Sequence, residues 1–420
     1  MSEINNLLNT LPKRFKPVIG CIKMQEKENA LVTTRLTQEI STNLLPKIPF
    51  FRTFADGAEI TANELTENIL VYFGPKILGE NVFRKLYSKK LSAAMKDMVA
   101  TPAQDLMKNL EVAENDKKRL MAIKAAIAVS ALAIPLAEYS LSYFKNIFTL
   151  KLFKQADFKN IANLDKSKNK TEDVEKQNKV KESAKKHIKL AGGLFAGCLA
   201  ISGLLLARGK QSKALNQVSE FILAPGSKLF KNNAKRAVGF NKYFGLDFAN
   251  NNGKLTLSRG QLTACVVAGF FGYSGAAKDR GKQNYLEVLY RFPLVGLYAI
   301  TGSELVEKGF KTALKKAGKC KELLSYEKMP KLSELPEIAE ELSSKNGTTV
   351  EQEFKKLFKQ KSTLIMVPFM FGIVVMGGFV AGLSRFFTQY RYNKELASQK
   401  NNPFNNNSQK FEMSSFGQNK

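Results

Sequence analysis

The sequence predicts an all-α protein: a multi-pass transmembrane helical bundle with a helical N-terminal region and basic connectors. Three observations carry that expectation. Residues 362–384 run twenty-three positions without a charge, between Lys361 and Arg385, and roughly 20 apolar residues let an α-helix cross a hydrocarbon core about 30 Å thick. Shorter apolar runs upstream are each closed by lysine or arginine. Glycines recur inside these runs at the spacings that let helices approach closely in lipid. The apolar residues are concentrated into runs separated by Lys-rich segments, so a mean hydropathy of −0.21 over 420 residues fits a chain half in membrane and half in water.

Residues 1–117 read as a helical, partly interfacial region. Its start, MSEINNLLNTLPKRFKP, carries an early acidic residue and no apolar h-region, which is not the pattern of a signal peptide. Thr61-x-x-Glu64 matches a capping box at a helix start. The apolar part that follows, 69–78, is too short to span and is interrupted by Pro75 and Lys76.

The membrane domain is expected over 118–385, with three to five spans. The first covers about 121–144 and contains Lys124, Pro135 and Glu138; the second covers 190–207, bracketed by Lys189 and Arg208. Between them lies a charged stretch, nearly free of apolar residues, that reads as a mobile loop or solvated helix. The third span, 260–277, opens with a second capping box, Ser258-x-x-Gln261. The fourth, 292–303, has only twelve uncharged residues between Arg291 and Glu304, the length of a re-entrant or buried helix. It lengthens to a full span if Glu287 and Arg291, spaced i, i+4, pair within the bundle. Residues 304–361 return to water, with an amphipathic lead-in after Thr348 and Thr349 to the final span at 362–384. Residues 386–420 form a basic, Asn-rich tail, aromatic at the membrane surface and disordered at its end.

The net charge of +28 comes from 65 Lys and Arg against 37 Asp and Glu. Much of it flanks the apolar runs, at Lys118, Arg119, Lys189, Arg208, Arg259, Lys278, Lys361 and Arg385. That placement favours anionic lipid headgroups over nucleic acid as the partner of this charge. Every connector is basic: residues 145–189 hold a net +7 and 304–361 a net +3. The positive-inside rule therefore gives no orientation.

The most specific internal signal is a repeat. AGCLAISGLLLARGKQ at 196–211 and AGFFGYSGAAKDRGKQ at 268–283 match at eight of sixteen positions without a gap. On consecutive antiparallel spans the two R-G-K-Q ends would lie on opposite faces, the geometry of an inverted transporter repeat. Convergence of Gly/Ser-rich spans on similar strings explains the same match.

Helix-packing positions are Gly193 and Gly197, Gly378 and Gly382, each pair four apart, and Gly269, Gly272 and Gly275, three apart. Glu138, Glu287 and Arg291 are the ionisable residues placed to line a polar pathway, because charge within apolar runs is costly to keep there. Pro135, Pro293 and Pro368 each free a carbonyl and bend a helix.

Catalytic and metal chemistry finds no motif. P-loop, G-x-S-x-G, H-E-x-x-H and G-x-G-x-x-G patterns are absent. Cys21, Cys198, Cys265 and Cys320 show no zinc spacing. The single histidine, His187, reads as a solvated interfacial residue. FANNNGKLTLSR resembles a calcium loop in its glycine and asparagines, but Phe248 and Arg259 stand where the two strongest acidic ligands belong. No cofactor is expected.

The expectation is therefore a non-enzymatic integral membrane protein, structural or interaction-mediating, in the cell membrane if its source is a prokaryote. Its partners would be the bilayer and other membrane helices, a second copy of the chain included. One alternative is a small-solute or ion transporter or channel, which requires Glu138 or Glu287 to face a wet interior. The other is a soluble helical nucleic-acid-binding protein, which the uncharged run at 362–384 opposes.

Overall fold

The computed structural model describes residues 2–26, 44–89, 91–109, 111–166, 172–249 and 258–400. Among them every regular element is helical. The calcium-like loop at 250–257 and the tail beyond 400 lie outside the described residues.

Two short helices, α1 (Ser2–Asn9) and α2 (Lys16–Glu26), begin the chain, and α3 (Phe54–Gly74) follows. The start of α3 corrects one expectation. Its cap is built by Thr53 and Asp56: the Asp56 amide donates to Thr53 Oγ1, and Asp56 Oδ2 accepts the Arg52 amide, both at 3.0 Å. Thr61 and Glu64 lie inside the helix instead. Glu64 is not needed for capping there, and it faces Lys47.

The centre of the molecule is α4 (Glu114–Ser130) and α5 (Ala133–Phe153). These two sit nearly end to end across a turn just before Pro135, where a proline is tolerated in the first helical turn. Together they are long and apolar enough to cross a membrane, yet 78% of their most apolar window is buried inside the protein. Leu120, Ile123, Ala126 and Ile127 form a core with Phe83, Leu205, Leu223 and Phe248.

α6 (Val174–Arg208) is a 35-residue helix capped by Asp173, whose carboxylate accepts the Glu175 amide at 2.9 Å. The charged stretch before the second apolar run is thus helical from 174 onward, its first turns solvated. α6 runs antiparallel to α4 and α5, with Ser202 bonded to Ser130 and His187 stacked on Tyr143. His187 also meets the Tyr139 hydroxyl, so it packs among tyrosines and is not simply solvated.

α7 (Lys213–Leu223) and shorter helices lead to α8 (Arg259–Arg280). Here the predicted capping box is present, with Ser258 and Gln261 exchanging bonds at 3.3 Å. α8 runs parallel to α5 and antiparallel to α6. Arg208 and Arg280, the two repeat arginines, therefore end at opposite ends of the bundle. Their surroundings differ: Arg208 is exposed and Arg280 is completely buried.

The fourth apolar run is not an isolated short helix. It belongs to α9, which is α-helical over Lys282–Leu297, widens to π-helix over Tyr298–Gly302 and returns to α-helix over Ser303–Lys316. Glu287 and Arg291 do not pair with each other, because interior partners take both.

After α10 (Leu335–Asn346), α11 runs as α-helix over Val350–Phe371, π-helix over Gly372–Phe379 and α-helix over Val380–Lys400. Thr349 and Gln352 cap it reciprocally. In both α9 and α11 the π segment begins four or five residues after a proline, Pro293 or Pro368. A proline removes one i→i−4 bond, and the ladder re-forms with a wider turn.

Three helical stretches are long and apolar enough to cross a membrane: Glu114–Phe153, Val174–Arg208 and Val350–Gln399. In contrast to the first, the apolar windows of the other two are only 17% and 22% buried. Lys361 and Arg385, placed beside the last run in sequence, turn inward and not toward headgroups. Lys361 pairs with Glu26 at 2.5 Å and Arg385 with Asp56 at 3.4 Å.

A second core gathers Ile22 of α2, Leu335 and Ala339 of α10, and Phe354, Leu357 and Phe358 of α11. At its edge Glu322 accepts bonds from Lys356 at 2.6 Å and Gln360 at 2.5 Å. Partial burial pushes its carboxyl upward, but these partners outweigh that and hold it at about 2. A depressed carboxyl stabilises the fold above its unfolded value and loses that contribution as the pH falls through its folded one. Glu322→Gln should therefore lower the melting temperature at pH 7, and the gap to wild type should narrow steadily from pH 4.5 toward pH 2. A gap constant over that range would refute the pairing.

Candidate functional site: a charge-lined interior

α3 places Asp56, Glu59, Asn63, Glu64 and Glu67 at intervals of three, four, one and three, which is one face of a helix. That face points into the bundle, and cations from five other segments meet it. Arg280 of α8 donates to both oxygens of Glu59 at 2.8 Å, with Lys145 of α5 at 3.2 Å and the Thr149 hydroxyl at 2.6 Å. Lys47 meets Glu64 at 2.5 Å and Arg291 of α9 lies 3.9 Å from the same carboxylate. Arg385 of α11 stands against Asp56, and Arg52 donates to Glu287 of α9 at 2.7 Å. Tyr273 of α8 bonds Asn63 at 2.7 Å and Glu67 at 3.0 Å.

These groups surround a cavity of about 170 Å³, lined among others by Glu59, Glu64, Glu67, Glu287, Arg291 and Arg385. It adjoins a larger one of about 550 Å³. The larger cavity has Lys47, Glu67, Asn68 and Glu138 on its polar side. Val266, Val295, Leu364 and Ile365 form apolar wall. Both π segments border it, and they touch: the Tyr298 ring faces Phe371 at 6.4 Å, and its hydroxyl lies against Gly372. Widened turns of this kind recur at functional sites because they re-aim side chains and leave backbone groups open.

The three residues placed on a polar pathway from sequence all reach these cavities, Glu138 the larger and Glu287 and Arg291 the smaller. Glu138 differs from the rest. It is 3% exposed, its Oε2 has no hydrogen-bond partner, and no cation of the described residues reaches it within 4 Å. The Asn68 side-chain nitrogen, also buried, is unpartnered too.

Sequence reasoning missed the acidic face of α3, a helix it reads as lying on the membrane or packing against the bundle. A signal was available: carboxylates every three or four residues inside an apolar helix. Lys47, Arg52 and Arg280 were missed as well, because their partners lie 17, 235 and 221 residues away.

The glycines divide. A Cβ on Gly272 would lie 2.3 Å from the Tyr139 carbonyl oxygen, so α5 and α8 approach backbone to backbone there. Gly269 lies against Phe292 and Glu138, Gly275 against the Tyr143 hydroxyl, and Gly382 against the Phe50 ring. Around Gly193 and Gly197 the space is open, and a Cβ at Gly378 would meet only its own helix. Gly272→Ala should destabilise by about 1–3 kcal/mol, the cost of overpacking. Gly197→Ala should be neutral or stabilising by up to about 1 kcal/mol, from helix propensity. Thermal unfolding compares the two; equal melting temperatures would contradict the close approach.

Comparison with family models, with curated proteins and with solved structures finds no match for this chain.

Proposed function

We propose that the protein is a multi-pass integral membrane protein whose helical bundle admits a small solute to its charge-lined cavity, as a transporter or channel does. The observation that carries the reading is a cluster of charges held inside the bundle while large apolar side chains lie on its outside. Six carboxylates (Asp56, Glu59, Glu64, Glu67, Glu138 and Glu287) and six cations (Lys47, Arg52, Lys145, Arg280, Arg291 and Arg385) face inward. Large apolar side chains face outward, among them Leu194, Leu204, Phe271, Leu297, Val374 and Phe379. Water rejects such a surface and a hydrocarbon core accepts it. Charge inside a membrane bundle is kept where it lines a pathway or a binding site.

The test has two parts. The protein should stay in the membrane pellet through high salt and carbonate and leave it only with detergent. In a cysteine-free background, Ala299→Cys at the cavity wall should react in intact membranes with a water-soluble methanethiosulfonate. Release by carbonate would end the membrane reading, and an unreactive Ala299→Cys would end the wet cavity.

A second reading has its own observation. α6 exposes Gly193 and Gly197 beside Leu190 and Leu194, a smooth apolar face without a neighbour among the described residues. Another membrane helix could lie there, which supports a structural or interaction role. Crosslinking of Gly197→Cys to a second copy or another helix in native membranes would favour it.

A further inference from the structure

We infer that the larger cavity takes an amphiphilic organic cation, with its charged head at Glu138 and its apolar body along α8, α9 and α11. The inference rests on the cavity reading above and names its ligand class. Two features of the cavity point the same way.

The first is charge. The larger cavity is lined by Glu67 and Glu138 against Lys47, with Glu307 at the rim paired to Lys311, so carboxylates are locally in excess. Lys47 and Arg291 are both directed at Glu64. Glu67 is held by the Tyr273 hydroxyl and, at 3.4 Å, by Asn63. Glu138 is the one left over: the residue lines the cavity, and its buried Oε2 has no hydrogen-bond partner. A buried carboxylate is costly unless a proton or a cation balances it. A ligand cation arriving at Glu138 completes the balance that the protein leaves open.

The second is shape. About 550 Å³ falls within the range of small-molecule sites, which are mostly apolar with a few placed polar groups. Apart from the four polar residues, the Tyr298 hydroxyl, the Cys265 thiol and a rim at Ser303 and Glu307, the lining is apolar. Gly296 and Gly372 let that wall pack closely, since a Cβ on them would lie 2.6 Å from Val266 and 2.9 Å from the Tyr298 hydroxyl. A hydrated inorganic ion would gain nothing from such walls, whereas an organic cation buries its body against them. An anion would meet the excess carboxylate.

The probes are tetraphenylphosphonium and tetraphenylborate, ions of matched shape and opposite charge. Equilibrium binding to the purified full-length protein in neutral detergent should be saturable for the phosphonium and absent for the borate. Glu138→Gln should weaken phosphonium binding about tenfold or more, the effect of 1.4 kcal/mol, with its melting temperature as the folding check. Ala299→Trp, which fills the wall without touching the charge, should weaken it independently.

Borate binding as tight as phosphonium binding, or a folded Glu138→Gln that binds phosphonium like wild type, overturns the cation assignment. If neither ion binds while Ala299→Cys still labels, the ligand class is wrong and the cavity stands. If neither ion binds and Ala299→Cys is inert, the cavity reading fails with it.

Discussion

Replacing Glu59 with leucine should cost about 5 kcal/mol, more than replacing Arg280 with methionine, which should cost about 3 kcal/mol. Both substitutions break one buried pair, and removing one partner of such a pair typically costs 3–5 kcal/mol because the other charge is left uncompensated. The order follows from what each survivor can do. Without Arg280, Glu59 retains Lys145 at 3.2 Å and the Thr149 hydroxyl, and a carboxylate can also take up a proton. Without Glu59, Arg280 is stranded: its side chain is completely buried, and its Nε and one terminal nitrogen already lack partners. A guanidinium cannot discharge itself by losing a proton. The double variant Glu59→Leu with Arg280→Met should recover most of the loss, since a pair replaced by apolar groups is often neutral. Melting in detergent measures all three. Equal costs for the two single variants would mean that Lys145 does not share Glu59.

The same pair shows where sequence reading reaches its limit. The uncharged run at 362–384 was legible as part of a helix long and apolar enough to cross a membrane, because length and composition are local properties. The Ser258 cap was legible because it closes over three residues. Glu138, Glu287 and Arg291 stood out because ionisable residues near apolar runs demand an explanation wherever they occur. Their partners did not. Glu287 and Arg291 have the spacing of a helical pair, yet Arg52 and Glu64 take them, and spacing along one helix does not reveal partners from other segments. Nor does spacing say what lies against a helix face. Gly193 and Gly197 share the spacing of Gly378 and Gly382, but among the described residues only Gly382 of the four meets another helix or loop. The faces of α3 needed the fold as well: its acidic residues mark a polar side, and only the ring of cations drawn from distant segments turns that side inward.

Replacing Lys124 with methionine should destabilise the protein by about 3–5 kcal/mol, although methionine suits the apolar run at 121–144 far better than lysine does. Lys124 stands in the middle of the α4 core, where both it and Asp247 are 2% exposed and their charges lie 2.9 Å apart. Asp247 does more than balance a charge. One oxygen accepts the Ala103 amide at 2.7 Å and the other accepts the Ala249 amide at 3.0 Å, while Lys124 also donates to the Val99 carbonyl at 2.8 Å. Two connecting segments, around 99–103 and 246–249, are thereby tied to one point on a central helix. Methionine would keep the stem volume and leave a carboxylate without a counter-ion in that core. Asp247→Asn keeps an acceptor for one amide and should cost less than Asp247→Ala, which releases both segments and strands the ammonium. The joint loss in Lys124→Met with Asp247→Asn should fall below the sum of the separate losses, because both remove one interaction. If Lys124→Met melts within about 0.5 kcal/mol of wild type, the range of an ordinary surface change, the lysine is reaching water along its stem and the segments are held by their apolar contacts alone.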